Sequence, residues 1–180
     1  MHNPWKTLSS RIVYKNPWIT LREDDVITPS GNKGIYGVVD CKIATGVVAL
    51  TKESNIVLVG QYRYTMHEYS WEIIEGGTEA GEDPKEAAKR ELQEEAGYLS
   101  KDFIELGPEI HLSNSHSSER GLLYLAKDLE TVPSAPEETE VLVIKEVPFK
   151  DAIALIENGE IKDSLSIIGI YRAGRLLNFL

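Results

Sequence analysis

Residues 76–98 read GGTEAGEDPKEAAKRELQEEAGY, and the fold and chemistry of the chain turn on this stretch. Asp83 can cap a helix, Pro84 suits its first turn, Glu86 stands where a capping-box carboxylate would, and Gly97 can end it on a left-handed residue. A helix of about three turns is therefore expected. Along it Glu91, Glu94 and Glu95 fall at i, i+3 and i+4, so their carboxylates share one face with Ala87 and Ala88. Leu92 and Ala96 lie beside that face, whereas Glu86, Lys89, Arg90 and Gln93 fill the rest of the circle and are expected to meet water.

Carboxylates packed this way repel. Two of them about 6 Å apart cost roughly 3 kcal/mol at an effective dielectric near 20. A divalent cation with a preference for oxygen, magnesium or manganese, would turn that repulsion into a binding site, since magnesium is commonly held by one or two carboxylates plus substrate phosphates. The bland alternative is a solvated helix whose glutamates pair with Lys89 and Arg90.

Spacing separates the two. Gly76, five residues, Glu82, seven residues, then Arg90-Glu91-Leu92-x-Glu94-Glu95-x-Gly97-Tyr98 follow the order of the Nudix box, with Tyr98 as the loosest fit. Seven fixed identities at roughly 5–7% each coincide by chance on the order of once in 10⁸–10⁹ starts. The chain thus resembles the Nudix hydrolases. That resemblance implies an α/β fold, a Nudix-type α/β/α sandwich with a mixed sheet, and hydrolysis of a diphosphate linked to another group. It implies that Glu91, Glu94 and Glu95 ligate metal or lie beside it, that the backbone carbonyl of Glu75 joins the shell, that Glu82 supports the site and that Arg90 orients a glutamate. It implies more than one ion, Mg2+ or Mn2+.

Composition sets the frame. With 180 residues, 42% of them hydrophobic, the chain suits one main domain with a substantial core. Cys41 is the single cysteine, so no internal disulfide forms, and no run of about 20 apolar residues is present to span a membrane. The first residues, MHNPWKTLSS, lack the basic-then-apolar pattern of a secretory leader, and a cytoplasmic protein is expected. A net charge of −10 argues against non-specific nucleic-acid binding and requires local cations to meet an anionic substrate.

Taken in order, RIVYK (11–15) and WITLREDDVIT (18–28) read as strands punctuated by Asn16-Pro17, followed by a turn at Ser30-Gly31-Asn32. IYGVVDCKIA, GVVALT and the buried-type run NIVLVGQYRY continue the β pattern, with short strands at 70–74, 103–112, 121–126 and 140–147. Residues 149–157 and 164–177 read as helices, with Asn158-Gly159 stopping the first and Asp163 capping the second. Residues 1–42 are expected to form an N-terminal β-rich arm and residues 43–180 the hydrolase domain.

The resemblance extends along the chain. Gln61-Tyr62-Arg63, Glu72, Ser118-Glu119 and the closing NGEIKDSLSIIGI are similar to the branch that hydrolyses ADP-ribose and other nucleoside diphosphate sugars. It implies that Arg63 lies near the diphosphate, where a guanidinium offers bidentate donors. It also implies that Glu72 faces substrate hydroxyls or phosphates, and that Glu119 has a substrate or metal role. The same branch implies a homodimer whose N-terminal strands complete the partner's nucleoside pocket, which makes Trp18 a substrate-binding candidate, although Trp5 and Trp18 read alone are core or interface residues. The general base implied is a loop glutamate in PSAPEETEV (133–141): Glu138 first, Glu140 second, Glu137 a weaker third, with a solvated acidic loop as the alternative. The chain departs from the ADP-ribose branch at Ser113-Asn114-Ser115, where a proline is typical. The expected activity is hydrolysis of ADP-ribose or GDP-mannose to a nucleoside monophosphate and a sugar phosphate. The rival is a non-catalytic nucleotide-sugar sensor on the same fold. His111 and His116, without cysteines or further histidines, make a poor zinc site, and the serines around them a poor triad.

Overall fold

The computed structural model describes residues 2–135 and 141–180. Two compact units emerge, Met1–Lys42 with His111–Arg120, and Ile43–Ile110 with Gly121–Leu180.

In the first unit, strands β1 (Lys6–Lys15), β2 (Ile19–Ile27) and β3 (Lys33–Cys41) form an antiparallel meander in that order. Asn16 makes the first turn: its Oδ1 accepts the N–H groups of Trp18 at 2.9 Å and Ile19 at 2.8 Å, a side-chain mimic of a backbone turn. Gly31 makes the second at φ +87, a left-handed value that suits glycine. Strand β1 is exposed along its whole length and begins earlier than the sequence pattern suggested, because polar Lys6–Ser10 is held by cross-strand bonds and not by burial. Ser9 Oγ donates to Asp25 at 2.6 Å and Arg11 pairs with Glu23 at 2.7 Å. The segment 111–120 joins this unit through Val39, whose N–H donates to the His116 carbonyl at 2.8 Å and whose carbonyl accepts from Ser118 at 2.9 Å. The expected arm therefore gains a distant segment.

The second unit contains β4 (Ile43–Leu50), β5 (Asn55–Arg63), β6 (Glu68–Glu72), β7 (Ile74–Gly77), α1 (Pro84–Ala96), β8 (Tyr98–Glu105), β9 (Ile110–His111), β10 (Arg120–Thr131), β11 (Val143–Pro148), α2 (Phe149–Glu157) and α3 (Ser164–Leu176). Among the described residues the sheet runs β11-β5-β4-β10-β8, with β6 beside β5, β7 beside β4 and β9 beside β10. Its central strand β4 is buried on both sides, as the apolar run GVVAL requires. Alternation assigns the faces. Val47, Ala49, Val57, Val59, Tyr124 and Ala126 pack with Ala88 and Leu92 of α1. On the opposite side, Val48, Ile73 and Leu123 meet α3 at Gly169, where an added Cβ would lie 3.1–3.3 Å from all three. Helices on both faces of a mixed sheet give the expected α/β/α sandwich.

Three local differences have physical causes. Strand β8 begins at Tyr98, straight after the helix, because its polar residues alternate inward and outward while pairing with β10. Strand β10 continues to Thr131 by that same pairing. Glu86 does not close a capping box: its carboxylate accepts from Lys89 at 2.7 Å, and Asp83 alone caps the helix, taking the N–H groups of Lys85 and Glu86 at 2.9 and 3.3 Å.

Candidate active site

Helix α1 is held at both ends by the residues that its sequence supplies for that purpose. Pro84 occupies the first turn after the Asp83 cap, and Gly97 closes the far end at φ 67, ψ 38 with its N–H bonded to the Gln93 and Leu92 carbonyls. This fixes the rotation of the helix against the sheet, with Ala87, Ala88, Leu92 and Glu95 buried.

Arg90 is the hub of the acidic face. Its Nε donates to Glu82 Oε1 at 3.0 Å and its Nη2 to Glu82 Oε2 at 3.1 Å, a fork on one carboxylate. Its Nη1 donates to Glu91 at 2.7 Å and Glu94 at 2.9 Å, and Nη2 also reaches the Gly77 carbonyl at 3.1 Å. So Arg90 does not face water, as its place on the helical circle suggested; it turns across the acidic face and ties the loop to the helix. The hydrogen bond to Glu82, then those to Glu94 and Glu91, hold the guanidinium more firmly protonated than usual. Glu82 in turn accepts the Glu79 N–H at 2.7 Å, which shapes the loop between β7 and α1.

The remaining carboxylates close on β7. Glu95 is buried and its Oε2 accepts the Glu75 N–H at 3.1 Å. Gly76 lies directly under Glu91, so that a Cβ there would sit 2.0–2.4 Å from the Glu91 side chain. Glycine at this position is thus a requirement of close approach. On its other side Glu75 is half-buried, with Ser166 Oγ donating to its Oε1 at 2.8 Å. Burial, then the adjoining Asp163 and Glu72 carboxylates, push the Glu75 carboxyl well above the usual carboxylate range.

Three glutamates on one guanidinium, with Glu95 buried beside them, leave an excess of negative charge in an oxygen-only donor set, which suits a hard divalent cation. Gly76, lacking a Cβ, leaves the room that the Glu91 carboxylate occupies against β7. Among the described residues no three Asp, Glu, His or Cys side chains already converge as a cage, because Arg90 draws Glu91 and Glu94 to itself. The residues therefore fit a metal in identity, with Arg90 holding the carboxylates in register.

Arg63 and Glu72 are brought together, although the expectation set each of them toward substrate. Arg63 Nε donates to both Glu72 oxygens, at 2.9 and 3.1 Å, and Nη2 donates to Oε2. The register places Glu72 opposite Val59 on the strand that carries Arg63, so the two side chains share a face. Glu72 is only 3% exposed, and this hydrogen bond raises the Arg63 pKa. Glu72 is thus a buried anchor of Arg63, whose Nη1 keeps its donors free of hydrogen bonds among the described residues.

Glu119 and Trp18 belong to the first unit. Glu119 is half-buried and its N–H donates to Ser117 Oγ at 3.2 Å; burial first, then Glu119 and Asp40, raise the Cys41 thiol pKa. Trp18 is exposed in the turn after β1. His116 is engaged by Ser113 Oγ at 3.0 Å and Ser115 Oγ at 3.1 Å within its own loop. Glu137, Glu138 and Glu140, the loop candidates for a base, lie outside the described residues. Sequence reasoning missed Ser166 as a member of the site and Asp163 as more than a helix cap; only the burial of a hydroxyl in an otherwise apolar helix face could have pointed to the former.

Comparison with known proteins adds the relationships. The NUDIX domain profile matches residues 42–166, and that of the nucleoside diphosphate sugar hydrolase N-terminal domain matches residues 5–39. An ADP-ribose pyrophosphatase of Bacillus subtilis is 30% identical over 167 residues, covering 92% of this chain and 90% of that protein. A methanol dehydrogenase activator of Bacillus methanolicus is 32% identical over 167 residues, with the same coverage of both chains. A crystal structure of an ADP compounds hydrolase superposes with a TM-score of 0.86 over 97% of this chain and 95% of that one, at 21% identity, a likeness of fold.

Proposed function

The chain belongs to the NUDIX hydrolase family, whose members generally use divalent metals, and from that premise we propose that it hydrolyses the pyrophosphate bond of a nucleoside diphosphate sugar. The substrates put forward are ADP-ribose and GDP-mannose, and the products a nucleoside monophosphate and a sugar phosphate. The single observation that carries this reading is the Arg90 fork, which gathers Glu82, Glu91 and Glu94 while Gly76 leaves room for the Glu91 side chain against the strand.

Glu91, Glu94, Glu95 and the Glu75 carbonyl would hold Mg2+ or Mn2+, more than one ion per site. Bound metal supplies Lewis-acid activation and neutralises charge growing on the phosphates. Arg90 and Glu82 keep the glutamates in register. Arg63, fixed by Glu72, offers its remaining donors to a phosphate oxygen. Glu138 takes the proton of the attacking water, with Glu140 as the second choice, and Glu119 and Trp18 contact substrate. The protein acts in the cytoplasm, without nucleic acid, as a homodimer in which the arm of residues 1–42 joins the 43–180 domain of the partner. Exposed Leu8, Ile12 and Tyr14 on β1 support that arrangement, since an edge strand that carries exposed apolar side chains seeks a partner.

A panel of nucleotide sugars with Mg2+, followed by phosphate release under a coupled phosphatase, tests the reading. Turnover of ADP-ribose or GDP-mannose that stops in EDTA is expected. Tight binding without turnover on every member would instead identify a sensor.

A further inference from the structure

The acidic face of α1 is gripped from the opposite side of the sheet. Ser166, at the third position of α3, is fully buried. Its hydroxyl accepts the Ile73 N–H at 3.0 Å and donates to Glu75 Oε1 at 2.8 Å, while its own N–H donates to Asp163 Oδ2 at 2.7 Å. A hydroxyl has one proton and two lone pairs, so both bonds are made at once, and one side chain clamps Ile73, just before β7, and Glu75 within it, on the backbone that leads into Gly76. Such a short side chain reaches the strand only because α3 lies close to it. Gly169, one turn on, permits this: any Cβ there would press on Ile73, Val48 and Leu123.

The clamp passes through Glu75. The same residue whose carboxyl Ser166 holds donates its N–H to Glu95 Oε2 at 3.1 Å. Resting on the metal-dependent function proposed for the site, we propose that Ser166 is a positioning residue for the metal face: it fixes the Glu75 main chain and, through it, the carboxylate of Glu95. Partners that orient ligands from behind typically change metal affinity by 10–100-fold when removed.

Mn2+ binding to the purified chain, followed by electron paramagnetic resonance of the free ion, reads this without substrate. Ser166→Ala removes the hydroxyl and adds no bulk; Ile170→Val, also fully buried on α3, controls for loosening of the helix. Wild type is expected to bind Mn2+, Ser166→Ala to bind at least about tenfold more weakly, and Ile170→Val to bind as wild type does. Wild-type affinity in Ser166→Ala overturns the proposal, as does equal weakening in both variants. Absence of Mn2+ binding by wild type itself would overturn the metal reading and this inference with it.

Discussion

Replacing Arg90 by alanine removes five hydrogen bonds and the guanidinium that Glu82, Glu91 and Glu94 share. A point-charge estimate for each contact, at about 4 Å and an effective dielectric near 20, gives a ceiling of about 4 kcal/mol. Solvent lowers it. The Arg90 side chain is 30% exposed, and those of Glu82, Glu91 and Glu94 are 19%, 13% and 35% exposed. Exposed pairs contribute about 0–1 kcal/mol and part-buried charged hydrogen bonds about 1.5–3 kcal/mol. Taking about 1 kcal/mol for each carboxylate, the variant should lose about 3 kcal/mol, or about 6–12 °C in Tm for a chain of this size. Thermal and urea unfolding in EDTA measure this directly. Arg90→Lys keeps the charge but not the fork, and should recover about one third of the loss. Added Mg2+ should raise the Tm of Arg90→Ala more than that of wild type, because the uncompensated carboxylates then have a cation to bind. A loss below about 0.5 kcal/mol in EDTA would mean that the fork is an ordinary solvated pair.

Gly76→Ala should force Glu91 out of its seat, lowering Mg2+ affinity and turnover at least about tenfold while Tm falls little, since Glu91 can swing; unchanged Mg2+ affinity would refute the close-approach argument. Asp24 is buried in the first unit, and its pKa is lowered by the Ser10 hydrogen bond and then by Arg22. Its contribution is therefore present above the unfolded value, about 3.9, and lost as pH falls through the folded one. Asp24→Asn should be less stable than wild type at neutral pH, and that gap should close in acid; a gap that stays constant across urea-unfolding curves from pH 7 to pH 3 would contradict the assignment. Glu138→Gln should lower kcat by about 10²–10⁴ with KM nearly unchanged, and Glu140→Gln should do so only if the base is the second choice. If neither variant shifts kcat by tenfold at neutral pH, the loop is not the source of the base.

How far the sequence could be read depended on how local the cause was. Asp83, Pro84 and Gly97 act on their own helix ends, so the limits of α1 were visible, and so was the periodic face of glutamates. The resemblance implied that Arg90 orients a glutamate, but its place on the helical circle pointed it to water, because helical rotation gives the direction of a Cα–Cβ bond and not where a long side chain folds afterwards. The Arg63–Glu72 pair follows from the β5–β6 register, which a run of residues does not carry. The clamp between Ser166 and Glu75 joins residues 91 apart and is set only by the closed sandwich. For the same reason sequence order alone places the segment 111–120 in the hydrolase domain, whereas its bonds to Val39 hold it in the first unit.

If the glutamates of α1 bind metal for hydrolysis, Glu95→Gln should all but abolish turnover without unfolding the chain. The substitution keeps the size of a buried side chain and an oxygen to accept the Glu75 N–H, but removes the charge. Initial rates on ADP-ribose and GDP-mannose at saturating Mg2+ should fall at least about a hundredfold, with Tm in EDTA equal to or above that of wild type because a repelling charge is gone. Wild-type turnover by the folded variant would contradict the claim.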